Sequence, residues 1–147
     1  MEDQHGIAAL ASFAGALVVA EIIKLAIEFA KRGSLKEAMT KSARTGGMPS
    51  GHTASFVALL TYFGLALGIN SSIFALTLAV SLVVIYDSLH VRFAVGELGE
   101  AVKRLVKKTE SGKAPEVVRG HKLLEVIVGT MIGVAMGFLV FYIQQQR

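Results

Sequence analysis

Four long apolar stretches constrain how this chain can fold more than any other feature. They occupy residues 7–29, 53–68, 72–86 and 123–143. A helix that crosses a membrane needs about 20 mostly apolar residues, so the outer two stretches suffice alone and the inner two need flanking residues. The sequence therefore predicts an all-α integral membrane bundle of four transmembrane helices. The predicted spans are residues 6–29, 52–69, 72–89 and 122–143, within a single domain that covers residues 1–147.

The composition agrees with a membrane protein and narrows its chemistry. Hydrophobic residues make up 53% of the chain, which is too apolar for an ordinary soluble domain. Cysteine is absent, so disulfides, thiolate metal sites and cysteine nucleophiles are excluded. The formal net charge is +4, and the basic residues flank the apolar stretches. Membrane lipids with anionic head groups are therefore the expected partners, and nucleic acid is not.

Basic residues concentrate in the two predicted loops at one end of the bundle, residues 30–51 and 90–121. The positive-inside rule places both loops in the cytoplasm and both termini on the outer side of the cell membrane. At the other end, only Ile69-Asn70-Ser71 joins the middle two spans. With Gly68 as C-cap and Ser71 or Ser72 as N-cap, this short connection predicts a tight antiparallel hairpin.

Two further patterns concern how the helices pack. Between residues 95 and 106, apolar residues recur at helical spacing while charged residues occupy the other faces, which predicts an additional amphipathic interfacial helix on the membrane surface. In the last span, glycines recur every four residues, at Gly129, Gly133 and Gly137. Such a stripe lets a neighbouring backbone approach closely, either within the bundle or between the subunits of a homo-oligomer.

Lys24 falls in the last third of the first span, with Glu21 and Glu28 on the same helical face. Ionisable groups at this depth are costly and normally face the bundle interior or a water-filled cavity. One interpretation is that Lys24 serves a polar site inside the bundle. The alternatives are a glutamate–lysine ladder that satisfies itself, a lysine side chain that reaches the interface, or a path for ions or protons.

A glycine-rich turn, residues 46–51, precedes the second span. Gly47 and Gly51 leave backbone N–H groups open to an anion, and a helix that begins beside Ser50 directs its unpaired N–H groups toward the same place. The Ser50 hydroxyl adds a hydrogen-bond donor, and the His52 imidazole adds a group that titrates near neutral pH. This pattern indicates a phosphate site; the alternative is a plain turn that enters a helix, with Ser50 as its N-cap and His52 as an interfacial residue.

The remaining candidates stand at the ends of the last two spans. Arg92 suits a phosphate through its bidentate guanidinium, and Asp87 can orient a neighbouring arginine or histidine. His121 and Glu125 are four residues apart, so the carboxylate can orient the imidazole as a nucleophile. Each has a plainer explanation as a membrane anchor or an interfacial residue. An alternating bundle nevertheless brings all of them to the same end as Lys24, which favours one shared site for a phosphoryl group.

The motif Pro49-Ser50-Gly51-His52, followed by His121-x-x-x-Glu125, resembles the type 2 phosphatidic acid phosphatase superfamily, which shares its site with vanadium-dependent haloperoxidases. Residues 46–50, 86–92 and 120–125 look closest to its divergent branch of small membrane proteins. The resemblance implies a hydrolase of phosphorylated lipids, such as phosphatidic acid or a polyprenyl diphosphate. It further implies a phosphohistidine intermediate, with no metal and no cofactor.

The same resemblance implies roles for individual residues. His121 is the nucleophile and His52 the general acid, Ser50 and Gly51 bind phosphate, Lys24 matches the lysine of the first family motif, and Glu125 replaces an orienting aspartate. The Arg-Pro pair that follows this lysine in the family is missing, and Ala114-Pro115 stands where the family has Ser-Arg. The phosphate-binding arginine is therefore Arg92, Arg119 or Arg44. These departures leave a second option, a degenerate member that binds anionic lipid or mediates assembly without catalysis.

Overall fold

The computed structural model describes residues 2–44, 47–109, 120 and 122–146. Six α-helices follow one another along this part of the chain: α1 Glu2–Arg32, α2 Leu35–Arg44, α3 Gly51–Leu67, α4 Ser72–Tyr86, α5 Arg92–Thr109 and α6 Leu123–Gln145. A π-helical segment, Asp87–Val91, joins α4 to α5. The described residues contain no strand, so the prediction of an all-α fold is confirmed.

Three helical stretches of the described chain are long and apolar enough to cross a membrane: His5–Arg32, Ser72–Thr109 and Leu123–Gln145. The fourth apolar stretch forms α3, which is shorter at 17 residues. Leu10, Leu76 and Met131 are each 67% exposed on the outside of the bundle. Large apolar side chains with so high an exposed fraction are expected where lipid, and not water, surrounds the protein.

The helix α3 occupies the centre of the bundle, where it packs against α1, α4 and α6. A cluster of fully buried alanines fills the space between α1 and α3, namely Ala16, Ala20, Ala54 and Ala58. Toward the other end of α3, the fully buried Tyr62 packs against Ala8 and Ala9. Because early residues of α1 meet late residues of α3, the two helices run antiparallel. Small side chains at this contact let the two helices approach closely. Van der Waals packing can then hold them together in lipid, where there is no hydrophobic effect between helices.

The glycine stripe of α6 faces α3 of the same chain. A β-carbon placed on Gly129 would lie 2.6 Å from the Ser50 carbonyl oxygen, and one on Gly133 would lie 2.5 Å from that of Ala54. Gly137 meets α3 further along, so α6 runs parallel to α3. The stripe therefore serves packing within the bundle, which is one of the two alternatives that the sequence leaves open. A homo-oligomer would have to form through other surfaces.

The short hairpin between α3 and α4 has the expected caps. Gly68 follows the last residue of α3 with a φ of 83°, a left-handed conformation that suits glycine. Ser71 then caps α4, because its hydroxyl accepts a hydrogen bond from the Phe74 N–H at 3.2 Å. This tight turn places the ends of α3 and α4 that carry the candidate site residues at the opposite end of the bundle.

Helices occupy much of the two predicted loops. The helix α2 lies within residues 30–51 and packs against α1. The amphipathic segment of the second loop forms α5, but α5 is not a separate element. The π-helical segment carries α4 directly into it, since the Arg92 N–H donates to the carbonyl of Asp87 five residues earlier.

Candidate functional site

The start of α3 is fixed by Ser50, which is fully buried. Its hydroxyl accepts hydrogen bonds from the Thr53 N–H at 3.4 Å and from the Thr53 hydroxyl at 3.0 Å, so Ser50 is the N-cap. The N–H of Ser50 donates to the carbonyl oxygen of Glu125 at 3.0 Å. The glycine-rich turn is therefore tied to the first turn of α6, and Gly129, one turn further along α6, leaves room for Ser50.

Lys24 lies beside this turn and is only 7% exposed. A β-carbon on Gly47 would lie 3.4 Å from both Cγ and Cδ of Lys24, so the aliphatic part of the lysine side chain lies directly beside the turn. The Lys24 ammonium pairs with Glu21 on the same helix, with 2.5 Å between Nζ and Oε1. The structure thus places Lys24 beside Gly47, in the turn that leads to Ser50.

Glu21 makes contacts that the sequence does not reveal. Its Oε1 lies 2.9 Å from the position of a β-carbon on Gly51, which places the carboxylate at the N-terminus of α3. Its Oε2 accepts a hydrogen bond from the Ser42 hydroxyl of α2 at 3.5 Å. The i, i+3 spacing of Glu21 and Lys24 is readable from the sequence, but the meeting of α1, α2 and α3 at this carboxylate is not.

Glu28 does not join this arrangement. Its carboxylate pairs instead with Lys31 at 3.4 Å and with Arg32 at 3.1 Å, at the exposed end of α1. The continuous ladder of Glu21, Lys24 and Glu28 that the sequence allows is therefore wrong. Lys24 has one carboxylate partner among the described residues, and that partner also faces the glycine-rich turn.

Asp87 and Arg92 form a second group near the end of α4. Arg92 Nε donates to Asp87 Oδ2 at 2.8 Å, and both side chains are largely exposed. Gly120 packs against the same stretch of backbone, because a β-carbon there would lie 2.4 Å from the Phe93 nitrogen. A cavity of about 220 Å³ opens beside this contact, lined by Phe93, Gly96, Glu97, Gly120 and Lys122.

Some of the candidate catalytic residues lie within the described part of the chain and others lie outside it. His52 is exposed on the first turn of α3. His121 and Arg119 lie outside the described residues, as does the side chain of Arg44. The carboxylate of Glu125 caps α6, where it accepts a hydrogen bond from the Lys122 N–H at 3.3 Å.

Polar groups from several helices meet at this end of the bundle. The positive dipole end of α3 lies at this end of the bundle, and the buried Lys24, paired with Glu21, lies beside the glycine-rich turn. Gly51 leaves the space that the Glu21 carboxylate occupies beside the turn. The starts of α3 and α6 and the end of α1 therefore converge on one polar centre within an otherwise apolar bundle.

Comparison with known proteins identifies a family and a relative. The sequence profile of the Divergent PAP2 family matches residues 6–136. An uncharacterized membrane protein of Bacillus subtilis (strain 168), YuiD, is 29% identical over 150 residues, which cover 90% of this chain and 93% of that protein. No solved structure gives a significant match.

Proposed function

We propose that this chain, which belongs to the Divergent PAP2 family, is a membrane-embedded phosphatase of a lipid phosphate or a polyprenyl diphosphate. The observation that carries the proposal is the meeting of the buried Lys24 with the glycine-rich turn at the N-terminus of α3. A buried cation beside a helix N-terminus suits a phosphate group better than it suits a purely apolar packing role. The relative YuiD is likewise named as a membrane protein.

In the proposed reaction, Lys24, Ser50 and the backbone of Gly47 and Gly51 hold the phosphoryl group. The imidazole of His121 attacks phosphorus and forms a P–N bond, while the bond from phosphorus to the leaving oxygen breaks and His52 protonates that oxygen. Water then attacks the phosphohistidine, His52 takes its proton, and inorganic phosphate leaves as His121 is regenerated.

Two other residues assist this chemistry. Glu125 orients His121 and stabilises its charged form, and Arg92 binds phosphate oxygens with Asp87 holding its guanidinium. The reaction as proposed needs no metal and no cofactor.

The proposal includes an arrangement in the membrane. The helices α1, α3, α4 and α6 cross the cell membrane, both termini lie outside, and the site lies at the cytoplasmic face. The helix α5, with Lys107 and Lys108 in its last turn, rests against anionic head groups. An amphiphilic phosphate reaches such a site from within the bilayer, with its apolar chain remaining in lipid.

The test is phosphate release from a panel of lipid phosphates by the purified protein in detergent, with a chelator present. We expect His121→Ala to lower the rate by about 10³-fold or more, since the nucleophile is lost. His5→Gln is the matched control, because His5 bonds to Tyr62 at the opposite end of the bundle. A wild-type protein that is inactive on every lipid, or a fully active His121→Ala, contradicts the catalytic proposal.

One observation favours a second candidate, an anionic-lipid-binding protein without catalysis. Lys24 is already paired with Glu21 at 2.5 Å, and the Arg-Pro pair that follows this lysine in the family motif is missing. Binding of vanadate or of a lipid phosphate without any turnover would support this alternative. Turnover that depends on His121 and His52 would exclude it.

A further inference from the structure

The cavity beside the start of α5 is lined by residues that have no role in the proposed reaction. Its volume is about 220 Å³, and its lining consists of Phe93, Gly96, Glu97, Gly120 and Lys122. The first turns of α5 supply one side of this lining, and the residues just before α6 supply the other. Lys24 and the described residues of the glycine-rich turn do not contribute to it. The cavity is therefore separate from the proposed phosphate site at Lys24.

This cavity carries one acidic and one basic side chain. Within the described part of the chain, neither Glu97 nor Lys122 takes part in an ion pair. Both side chains are exposed, so both charges can meet a ligand. A plain anion is repelled by Glu97 and a plain cation is repelled by Lys122. A ligand with one positive and one negative group satisfies both side chains, so the lining suits a zwitterion.

The position of the cavity favours a zwitterion that belongs to a lipid. Gly129 of α6 lies beside Ser50 at the start of α3, and Lys122 precedes Gly129 by about two helical turns, or about 10 Å. With α3 crossing the apolar core as proposed, this distance places the cavity among the polar head groups. Leu123 and Leu124 follow directly and are 63% and 60% exposed. A lipid can lay its apolar part beside these leucines, whereas a small free zwitterion has no use for them.

We propose that the cavity binds the head group of a phospholipid that carries a primary ammonium, such as phosphatidylethanolamine. Lys122 pairs with the phosphodiester, and Glu97 accepts hydrogen bonds from the ammonium. The bound lipid bridges the first turns of α5 and the start of α6. Contacts between exposed charges are individually weak, but the bilayer supplies its lipids at a high local concentration. The inference takes only the membrane arrangement from the proposed function and needs no catalysis.

The experiment compares three phospholipids with the same acyl chains and different head groups. They are phosphatidylethanolamine, phosphatidylcholine, whose quaternary ammonium cannot donate a hydrogen bond, and phosphatidylglycerol, which has no ammonium. Native mass spectrometry of the full chain in detergent resolves each bound lipid and gives relative affinities. We expect the wild type to bind phosphatidylethanolamine about two- to fivefold more tightly than either of the others, the usual effect of one exposed charge contact.

Three variants test the roles of the two charged side chains. Glu97→Gln should abolish the preference for phosphatidylethanolamine over phosphatidylglycerol. Glu97→Lys should reverse it, because a second cation attracts the lipid with a net negative charge, and a merely structural role of Glu97 would give no such reversal. Lys122→Gln should weaken all three lipids by about two- to fivefold, since each contains a phosphodiester.

Glu100→Gln is the matched control. It removes the same charge from α5, but Glu100 does not line the cavity, so the wild-type order of affinities should remain. Soluble glycerophosphoethanolamine, which has the same head group without acyl chains, tests the source of the ligand. At equal concentration it should not displace the bound lipid. Displacement would assign the cavity to a free zwitterion and would overturn the assignment to a lipid.

Two further results would overturn the inference: a wild type without preference for phosphatidylethanolamine, or the same order of affinities in both Glu97 variants as in the wild type. None of these measurements depends on phosphate release. An inactive protein with the expected lipid preference contradicts the proposed catalysis and leaves the inference standing. An active protein without that preference contradicts the inference and leaves the catalysis standing.

Discussion

At the scale of single residues, two serines of this chain cap helices in the same way at opposite ends of the bundle. Ser50 accepts a hydrogen bond from the Thr53 N–H at the start of α3, and Ser71 accepts one from the Phe74 N–H at the start of α4. Only Ser50 lies in the glycine-rich turn beside Lys24. Comparing variants of the two serines therefore distinguishes the capping role of a serine from a role in binding phosphate.

Replacing either serine with alanine should lower the free energy of unfolding by about 1 kcal/mol, because each change removes an N-cap. Only Ser50→Ala should also weaken the binding of methyl phosphate, by about tenfold, the usual effect of losing a hydrogen bond to a charged group. Thermal unfolding and equilibrium binding in detergent measure the two effects. Equal binding by both variants would mean that Ser50 only caps α3.

The parts of the site that the sequence predicts are those with local signals. Ser50 directly precedes a long apolar stretch, which indicates an N-cap, and the structure places it there. Lys24 in an apolar helix indicates a polar interior, and it is buried. The contact of Glu21 with Gly51 and with Ser42 depends on how three helices pack, which no spacing along the chain encodes. The roles of His52 and His121 stay predictions.

At the scale of elements, the contact between α3 and α6 has little tolerance for added volume. A β-carbon on Gly133 would lie 2.5 Å from the Ala54 carbonyl oxygen and 2.8 Å from Val57 Cβ. Neither neighbour can move without shifting the backbone of α3. The N-terminus of α3 belongs to the proposed site, so this contact also sets where the glycine-rich turn lies.

Gly133→Ala should therefore lower the free energy of unfolding by about 1–3 kcal/mol through overpacking. Gly6→Ala is the matched control, since nothing lies within 4 Å of a β-carbon at Gly6. The control should be neutral or slightly stabilising, because alanine favours a helix more than glycine does. Melting temperatures in detergent compare the two. A Gly133→Ala protein as stable as the control would show that α6 does not pack on α3 as described.

The sequence does not predict elements that lack an apolar stretch of their own. The helix α2 is short and amphipathic, and packing against α1 stabilises it. The sequence does not predict that α4 continues into α5, for another reason. Charged residues begin at Asp87 and indicate the membrane boundary, but no glycine or proline stands there to end the helix. Hydropathy thus predicts where lipid ends better than it predicts where a helix ends.

At the scale of the whole molecule, the number of spans decides whether the proposed site lies at the cytoplasmic face. The helix α3 has 17 residues, which extend over about 26 Å against an apolar bilayer core of about 30 Å. It lies between α1, α4 and α6, so its neighbours and not lipid surround much of it. A short central helix of this kind can cross a membrane, because the outer helices meet the full apolar thickness.

The absence of cysteine from the chain allows a direct test of this topology. Lys36 lies in α2 beyond the end of α1, Asn70 lies in the turn between α3 and α4, and both are exposed. If α3 crosses the membrane, Lys36→Cys and Asn70→Cys lie on opposite sides. A membrane-impermeant maleimide should then label Asn70→Cys in intact cells and Lys36→Cys only after permeabilisation. Labelling of both variants under the same condition would mean that α3 does not cross, and the proposed site would lose its place at the cytoplasmic ends of four spanning helices.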